Sequence, residues 1–169
     1  LDLDEGQTFY LKGPLSLEYV FHLESLLPFQ GLPLSYPPFS PRWPQTLSPK
    51  RALIPQLLRQ DALLYYPYHS MEPFLSLIRE AAADPAVLSI KITIYRLCSH
   101  AKLIEYLAAA AENGKSVTVL LELRARFDEQ NNIRCSEQLE RAGCTLLYGL
   151  KEQKVHAKLC LITRQEHGK

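Results

Sequence analysis

The 169-residue sequence predicts an α/β fold, a sheet containing parallel strands with helices packed on it, and three features carry that expectation. From Asp61 onward, strand-like and helix-like segments alternate, the order that builds parallel sheets. Two strand-like segments, AVLSIKITIYR and SVTVLLELRAR, are nearly continuous apolar runs, the texture of strands covered on both faces. Proline or glycine follows each helix-like segment, as a helix end requires.

The part before Asp61 reads differently. PLSLEYVFHLESLL has helical character from about Ser16 to Leu27. Seven of the twelve prolines then fall between Pro28 and Pro49, which excludes a regular helix or an inner strand there. This stretch reads as a connection between two domains, packed on a surface by Phe29, Tyr36, Phe39 and Trp43. Residues 1–45 are therefore assigned to the end of a preceding helical domain and its Pro-rich linker, and 46–169 to an α/β domain. The chain starts at Leu1 and ends in ITRQEHGK. The last motif reads as a strand entering a turn with no return strand, so an excised piece is expected.

Each later element has its own signal. DALLYYPYHS gives a short apolar strand stopping at Pro67. SMEPFLSLIREAAADP is a helix, with Ser70 as N-cap, Pro73 in the first turn and Pro85 beyond the end. AVLSIKITIYR is a strand. SHAKLIEYLAAAAENGK is a helix with Leu103, Leu107 and Ala111 on one face and Gly114 as its stop. SVTVLLELRAR is a strand, and DEQNNIRCSEQLERAGC a helix ending at Gly143. TLLYGL and KVHAKLCLITR are the last two strands.

Composition narrows the function. The formal net charge is +1, which gives no global basic field of the kind nucleic-acid binders carry; any anion site must be local. No apolar run is long enough to cross a bilayer. Cys98, Cys135, Cys144 and Cys160 form no C-x-x-C pair and read as reduced thiols rather than zinc ligands.

KVHAKLCLI, residues 154–162, raises the chemical question. In a strand His156, Lys158 and Cys160 point one way, and Val155, Ala157, Leu159 and Leu161 the other, toward the core. A lysine inside such a run needs water or an anion beside it. Ligands in open α/β sheets gather at the carboxyl ends of parallel strands, and there Arg96 ends one long run while Arg124 and Arg126 end the other. Thirty residues separate Arg96 from Arg126, and thirty more separate Arg126 from His156. Taken singly, a strand-end arginine is usually a solvated boundary residue, Lys158 a charge guarding an edge strand, and His156 a satisfied core histidine. Mapped to one rim, two arginines and a lysine suit phosphate, and a neutral imidazole among them is a potential nucleophile toward phosphorus.

The strand-borne H-x-K resembles the core motif of the phospholipase D superfamily, where the histidine attacks phosphorus and the lysine holds phosphate. The aspartate that usually completes the motif is replaced here by Thr163. YYPYHS, IKITIYR, ENGKSVTVLLELRARFDEQNNI and KVHAKLCLI, in order from about Leu63 to Arg164, resemble one group of that wider class, the long-chain, histidine-phosphorylating bacterial polyphosphate kinases. GPLSLEYVF and PPFSP are similar to the end of that family's preceding helical domain and the entry to its catalytic region.

The resemblance implies a phospholipase D-like mixed sheet flanked by helices. It implies reversible transfer of the ATP γ-phosphate to polyphosphate, with Mg2+, through a phosphohistidine at His156. Lys158 would steady the transferring group. Arg96 and Arg126 match positions assigned to a magnesium–phosphate site; an arginine cannot ligate a metal, so they are read as holding phosphate oxygens that also touch magnesium. His69 in YPYHS is a weaker phosphate-site candidate, against a structural role beside Tyr66 and Tyr68. The expected partners are ATP or ADP and inorganic polyphosphate, with no nucleic acid. The full-length protein is expected to be a homo-oligomer in the cytoplasm, at most peripheral to the inner membrane face. The family's site also draws on a second, similar domain with another histidine, so the isolated chain is expected to turn over little. Two rivals stand beside this reading: a phospholipase D-like phosphodiesterase or nuclease, and a polyanion-binding module without chemistry.

Overall fold

The computed structural model describes residues 4, 6, 8–13, 16, 18–22, 36–96, 101–122, 125, 129–149 and 153–166. The chain divides into two compact units, Leu1–Phe39 and Ser40–Lys169. In the first, the described part of the expected helix is a single 3-10 turn, Glu18–His22, and residues 23–27 lie outside the described residues.

The second unit runs α1 (Leu53–Leu57), α2 (Glu72–Ala83), β1 (Val87–Ile94), α3 (Lys102–Glu112), β2 (Ser116–Leu121), α4 (Glu129–Arg141), β3 (Thr145–Tyr148) and β4 (Cys160–Arg164). The sheet order is β3-β2-β1-β4. β1 pairs with β2, and β2 with β3, in parallel. β4 pairs antiparallel with β1, placing Cys160 beside Ile92 and Ile162 beside Ile90.

This topology fixes where the core lies. β1, β2 and β3 step across the sheet in one direction, so right-handed crossovers lay α3 and α4 on the same face. There Ile90, Ile92, Ile94, Val117, Val119 and Leu121 meet Ile78, Leu103, Leu107 and Leu139, all buried. The expectation that both sheet faces are covered is corrected. Leu88 and Leu147 are about half exposed on the other face, and Leu161 is 58% exposed. β4 contributes Ile162 to the core instead, so within β4 the core parity is the even one and not that of Leu161.

The helix ends follow the glycine signals. Gly114 (φ 80°) and Gly143 (φ 89°) take the left-handed conformation. Lys115 N–H donates to Ala110 O at 3.1 Å and Cys144 N–H to Leu139 O at 3.0 Å, closing a Schellman motif after α3 and after α4. α2 starts at Glu72, flanked by Met71 rather than by Ser70. The Ser70 hydroxyl still accepts the Glu72 N–H at 3.1 Å. Glu80 of α2 accepts the Leu53 and Ile54 N–H groups at 2.7 and 3.1 Å, which satisfies the first turn of α1 from another helix.

The expected strand in DALLYYPYHS is not formed. This segment is a turn with a cis Tyr66–Pro67 bond and stacked Tyr65 and Tyr68 rings; its sheet-like contact is a single bridge between His69 and Arg42. Pro67 supplies no N–H within the segment, and the His69 N–H is spent on Tyr65 O at 2.8 Å, which closes a turn.

At the N-terminal end of β1, Asp84 ties three elements together. It accepts the Arg164 Nε–H of β4 at 2.8 Å and the Ala86 N–H at 2.8 Å, and Lys115 Nζ binds its carbonyl at 2.7 Å. The bond from Arg164, with the Ala86 N–H next, holds the Asp84 carboxyl below the usual carboxylate range. A depressed folded value stabilises the fold above the unfolded pKa and loses that contribution as pH falls through the folded one. Asp84→Asn is therefore expected to be less stable than the parent at neutral pH, with the gap closing as pH falls below the ordinary aspartate pKa of about 3.9. Urea unfolding midpoints across that fall in pH measure it.

Candidate active site

The carboxyl ends of β1 and β2 are clipped together by a buried amide. Asn132 of α4 is fully buried and donates from Nδ2 to Tyr95 O at 3.0 Å and to Glu122 O at 2.8 Å. Two carbonyl acceptors fix which end of the amide faces the sheet. Glu122 N–H donates to Ile94 O at 3.0 Å. Tyr95 and Arg96 thus leave β1 from a fixed platform.

β4 delivers the other half of the site. Because it runs antiparallel to β1, the residues before Cys160 arrive at the same edge. The expected strand over KVHAKLCLITR is shorter than the sequence suggests: residues 154–159 form no ladder. They are held by side chains instead. Buried Glu122 accepts the Val155 N–H at 2.9 Å. Thr93 Oγ1 donates to Ala157 O at 2.6 Å and accepts the Leu159 N–H at 2.9 Å, while Thr93 N–H donates to Leu159 O at 2.9 Å. β1 ends one residue later, at Ile94, so no partner backbone continues the ladder past Leu159, and polar side chains take its place.

Between these clamps, His156 and Lys158 are exposed and turned toward one ring. The His156 imidazole meets Tyr95 at 4.7 Å between centroids and 75° between planes, a T-shaped pair. Lys158 Nζ stands 5.1 Å from the Tyr95 centroid and Arg96 Cζ 5.9 Å, both within cation–π range. Lys158 Nζ also donates to His156 O. An ammonium has three donors, so two remain for an anion. The result is a local cationic rim around an imidazole, on a chain whose formal net charge is only +1. That rim can grip an oxygen-rich anion and set a nitrogen nucleophile against it.

Of the residues expected here, the structure brings together Arg96, His156 and Lys158. Arg126 and Arg124 lie outside the described residues. His69 is engaged elsewhere: its Nδ1 accepts the Tyr65 N–H at 2.9 Å, its own N–H returns to Tyr65 O at 2.8 Å, and its strand-like bridge is to Arg42. Its geometry is that of a residue closing its own turn. Among the described residues no group of three His, Cys, Asp or Glu side chains could hold a metal ion. Cys135 and Cys144 are free and buried, and burial pushes both thiols up.

Four residues that build the site were not singled out in the sequence. Thr93 and Glu122 had a visible signal, a polar side chain in or directly after an apolar strand. Tyr95 had none beyond its place beside Arg96. Asn132 sits in a polar helix stretch where nothing distinguishes it from Asn131.

Comparison with known proteins agrees with this geometry. The family model described as Polyphosphate kinase C-terminal domain 1 matches residues 52–169. A polyphosphate kinase of Exiguobacterium sibiricum is 43% identical over the whole chain. One from Pseudomonas aeruginosa is 41% identical over 98% of it. In both cases the chain spans 24% of the relative's length. The crystal structure of polyphosphate kinase from Porphyromonas gingivalis superposes with a TM-score of 0.65 at 36% identity, covering 84% of this chain and 24% of that one. The mixed four-stranded sheet flanked by helices is thus the phospholipase D-like fold expected. Among the described residues no helix is long and apolar enough to cross a membrane. With its match over residues 52–169, the chain belongs to the polyphosphate kinase C-terminal domain 1 family.

Proposed function

We propose that this chain carries the nucleophilic half of a polyphosphate kinase site, which in the full-length protein catalyses ATP + polyphosphate(n) = ADP + polyphosphate(n+1). The observation that carries the proposal is the convergence of His156, Lys158 and Arg96 on the Tyr95 ring at the carboxyl edge of the sheet. A lone pair of neutral His156 attacks the γ-phosphorus. A P–N bond forms, the P–O bond to ADP breaks, and its electron pair leaves with ADP. The imidazole N–H proton passes to solvent or to a base. A terminal oxygen of polyphosphate then attacks the same phosphorus; the P–N bond breaks, its electron pair returns to the ring nitrogen, and the imidazole regains a proton from solvent or from the base, which restores neutral His156. Phosphoryl transfer depends on position and on stabilising charge spread over the equatorial oxygens. Lys158 and Arg96 meet those oxygens, one as a point charge and one as a fork, and Arg126 is assigned the same task from the end of the second long run.

Magnesium brought with the nucleotide would supply charge neutralisation along its phosphate chain, beside Arg96, Arg126 and Lys158, which would hold the phosphate oxygens. The cationic side chains of this rim fit the phosphate oxygens, not the ion. His69 is left with a structural role. The full-length protein is placed in the cytoplasm as a homo-oligomer, and the isolated chain, a quarter of its relatives' length, is assigned little turnover.

The test runs the reaction backwards. Full-length protein with ADP, polyphosphate and magnesium should produce ATP, detected by luciferase, and should leave a simple phosphodiester intact. Diester hydrolysis without ATP would overturn the proposal in favour of a phosphodiesterase. Polyphosphate binding with neither reaction would leave a binding module.

A further inference from the structure

We infer that Tyr95 is the positioning residue of this site: its ring sets the orientation of the His156 imidazole and the spacing of the two cations beside it. The inference rests on the phosphohistidine reading above and gives a role to a residue which that reading uses only as a landmark.

Three observations lead to it. First, His156 stands on a stretch without ladder pairing. The clamps from Glu122 and Thr93 hold backbone at 155, 157 and 159, on either side of His156, and leave the side-chain torsions of His156 unset. Among the described residues its ring nitrogens have no hydrogen-bond partner, and its one ring contact is Tyr95. A nucleophilic histidine commonly has its tautomer and rotamer fixed by a bond to its second nitrogen; here an aromatic wall does the orienting. Second, the same ring is shared. Lys158 and Arg96 both lie within cation–π reach, so one side chain sets three others relative to each other. Third, the backbone that carries the ring is anchored. The Tyr95 carbonyl is held by fully buried Asn132, through backbone that a substitution at 95 leaves in place.

Positioning matters because reacting atoms must approach within about 3–3.5 Å in line, and a misplacement of about 1 Å can cost on the order of 100-fold. The ring, not the hydroxyl, is the part that acts. Both the T-shaped pair and the cation–π contacts are made by the aromatic system.

The experiment compares Tyr95→Phe, Tyr95→Leu and Tyr95→Met in the full-length enzyme, by single-turnover formation of phosphohistidine from labelled ATP and magnesium. Tyr95→Phe should keep the rate within about threefold. Leu and Met should lower it by roughly 10- to 100-fold, with KM for ATP moving about threefold or less. With histidine ring carbons labelled, the His156 resonance, assigned by its loss in His156→Gln, should shift in Leu and Met, which remove the ring current, and stay near its place in Phe. Leu or Met at the parent rate with an unmoved resonance would overturn the inference. So would a Phe variant as slow as Leu, which would move the role to the hydroxyl. Should the parent itself acquire no phosphohistidine, the kinase reading fails on its own, and an unshifted resonance then also refutes the orienting role. Agreement of Leu and Met guards against a folding artefact in either.

Discussion

His156→Gln is expected to abolish phosphoryl transfer in the full-length enzyme, by at least ~10^4-fold in kcat, the scale on which removal of a covalent nucleophile acts. Glutamine keeps similar reach and hydrogen-bonding capacity but offers no nucleophilic nitrogen at neutral pH. The loss should come without unfolding. His156 is exposed and its backbone is held through residues 155, 157 and 159, so stability should stay within about 0.5 kcal/mol of the parent. Kinetics in both directions, beside a denaturation curve, separate the two effects. Polyphosphate binding should survive, because the cations that grip it remain. A variant that kept transfer within tenfold would leave the imidazole a bystander.

Arg96→Ala should give the second largest effect, roughly 10²–10³-fold in kcat/KM, as expected for a cation that neutralises transition-state charge on a transferring phosphoryl group. The loss should appear in kcat as well as KM, since the fork meets oxygens whose charge develops during transfer. Arg96→Lys should recover only part of it. Lysine restores the charge but not the planar two-point contact with phosphate oxygens or the guanidinium's own contact with the Tyr95 ring. If Lys restored full activity, Arg96 would act as a distant charge and its place beside the Tyr95 ring would be incidental. Steady-state kinetics on the three proteins decide between these outcomes.

The parts of this account that were legible in sequence are those set by local rules. Alternating strands and helices, the two long apolar runs, and the helix stops at Gly114 and Gly143 all depend on neighbours within a few residues. The rim was legible in part for a second reason: parallel strands place their carboxyl ends at one edge, so Arg96 could be mapped there, whereas the H-x-K segment reaches that edge only because β4 runs antiparallel to β1. Tertiary choices were hidden. Nothing in KVHAKLCLI shows that the ladder begins only at Cys160, because that depends on where β1 ends. Nor does the pattern show that Leu159 and Leu161 face outward while Ile162 enters the core; antiparallel register with Ile90 decides it. A one-residue change of register exchanges the two faces. DALLYYPYHS misled because tyrosines favour strands, while its backbone bonds close a turn through His69. The clamps escaped notice for the same reason: Thr93 and Glu122 act on residues more than thirty positions away.

The measurement that bears most directly on the central claim is a phosphate map of the full-length protein. It would be incubated with magnesium and ATP, digested under alkaline conditions, and searched by mass spectrometry for acid-labile, alkali-stable phosphate. The account predicts that phosphate on His156, lost again when polyphosphate is added as acceptor. Transfer of phosphate from ATP to polyphosphate with no phosphohistidine at His156 would contradict it.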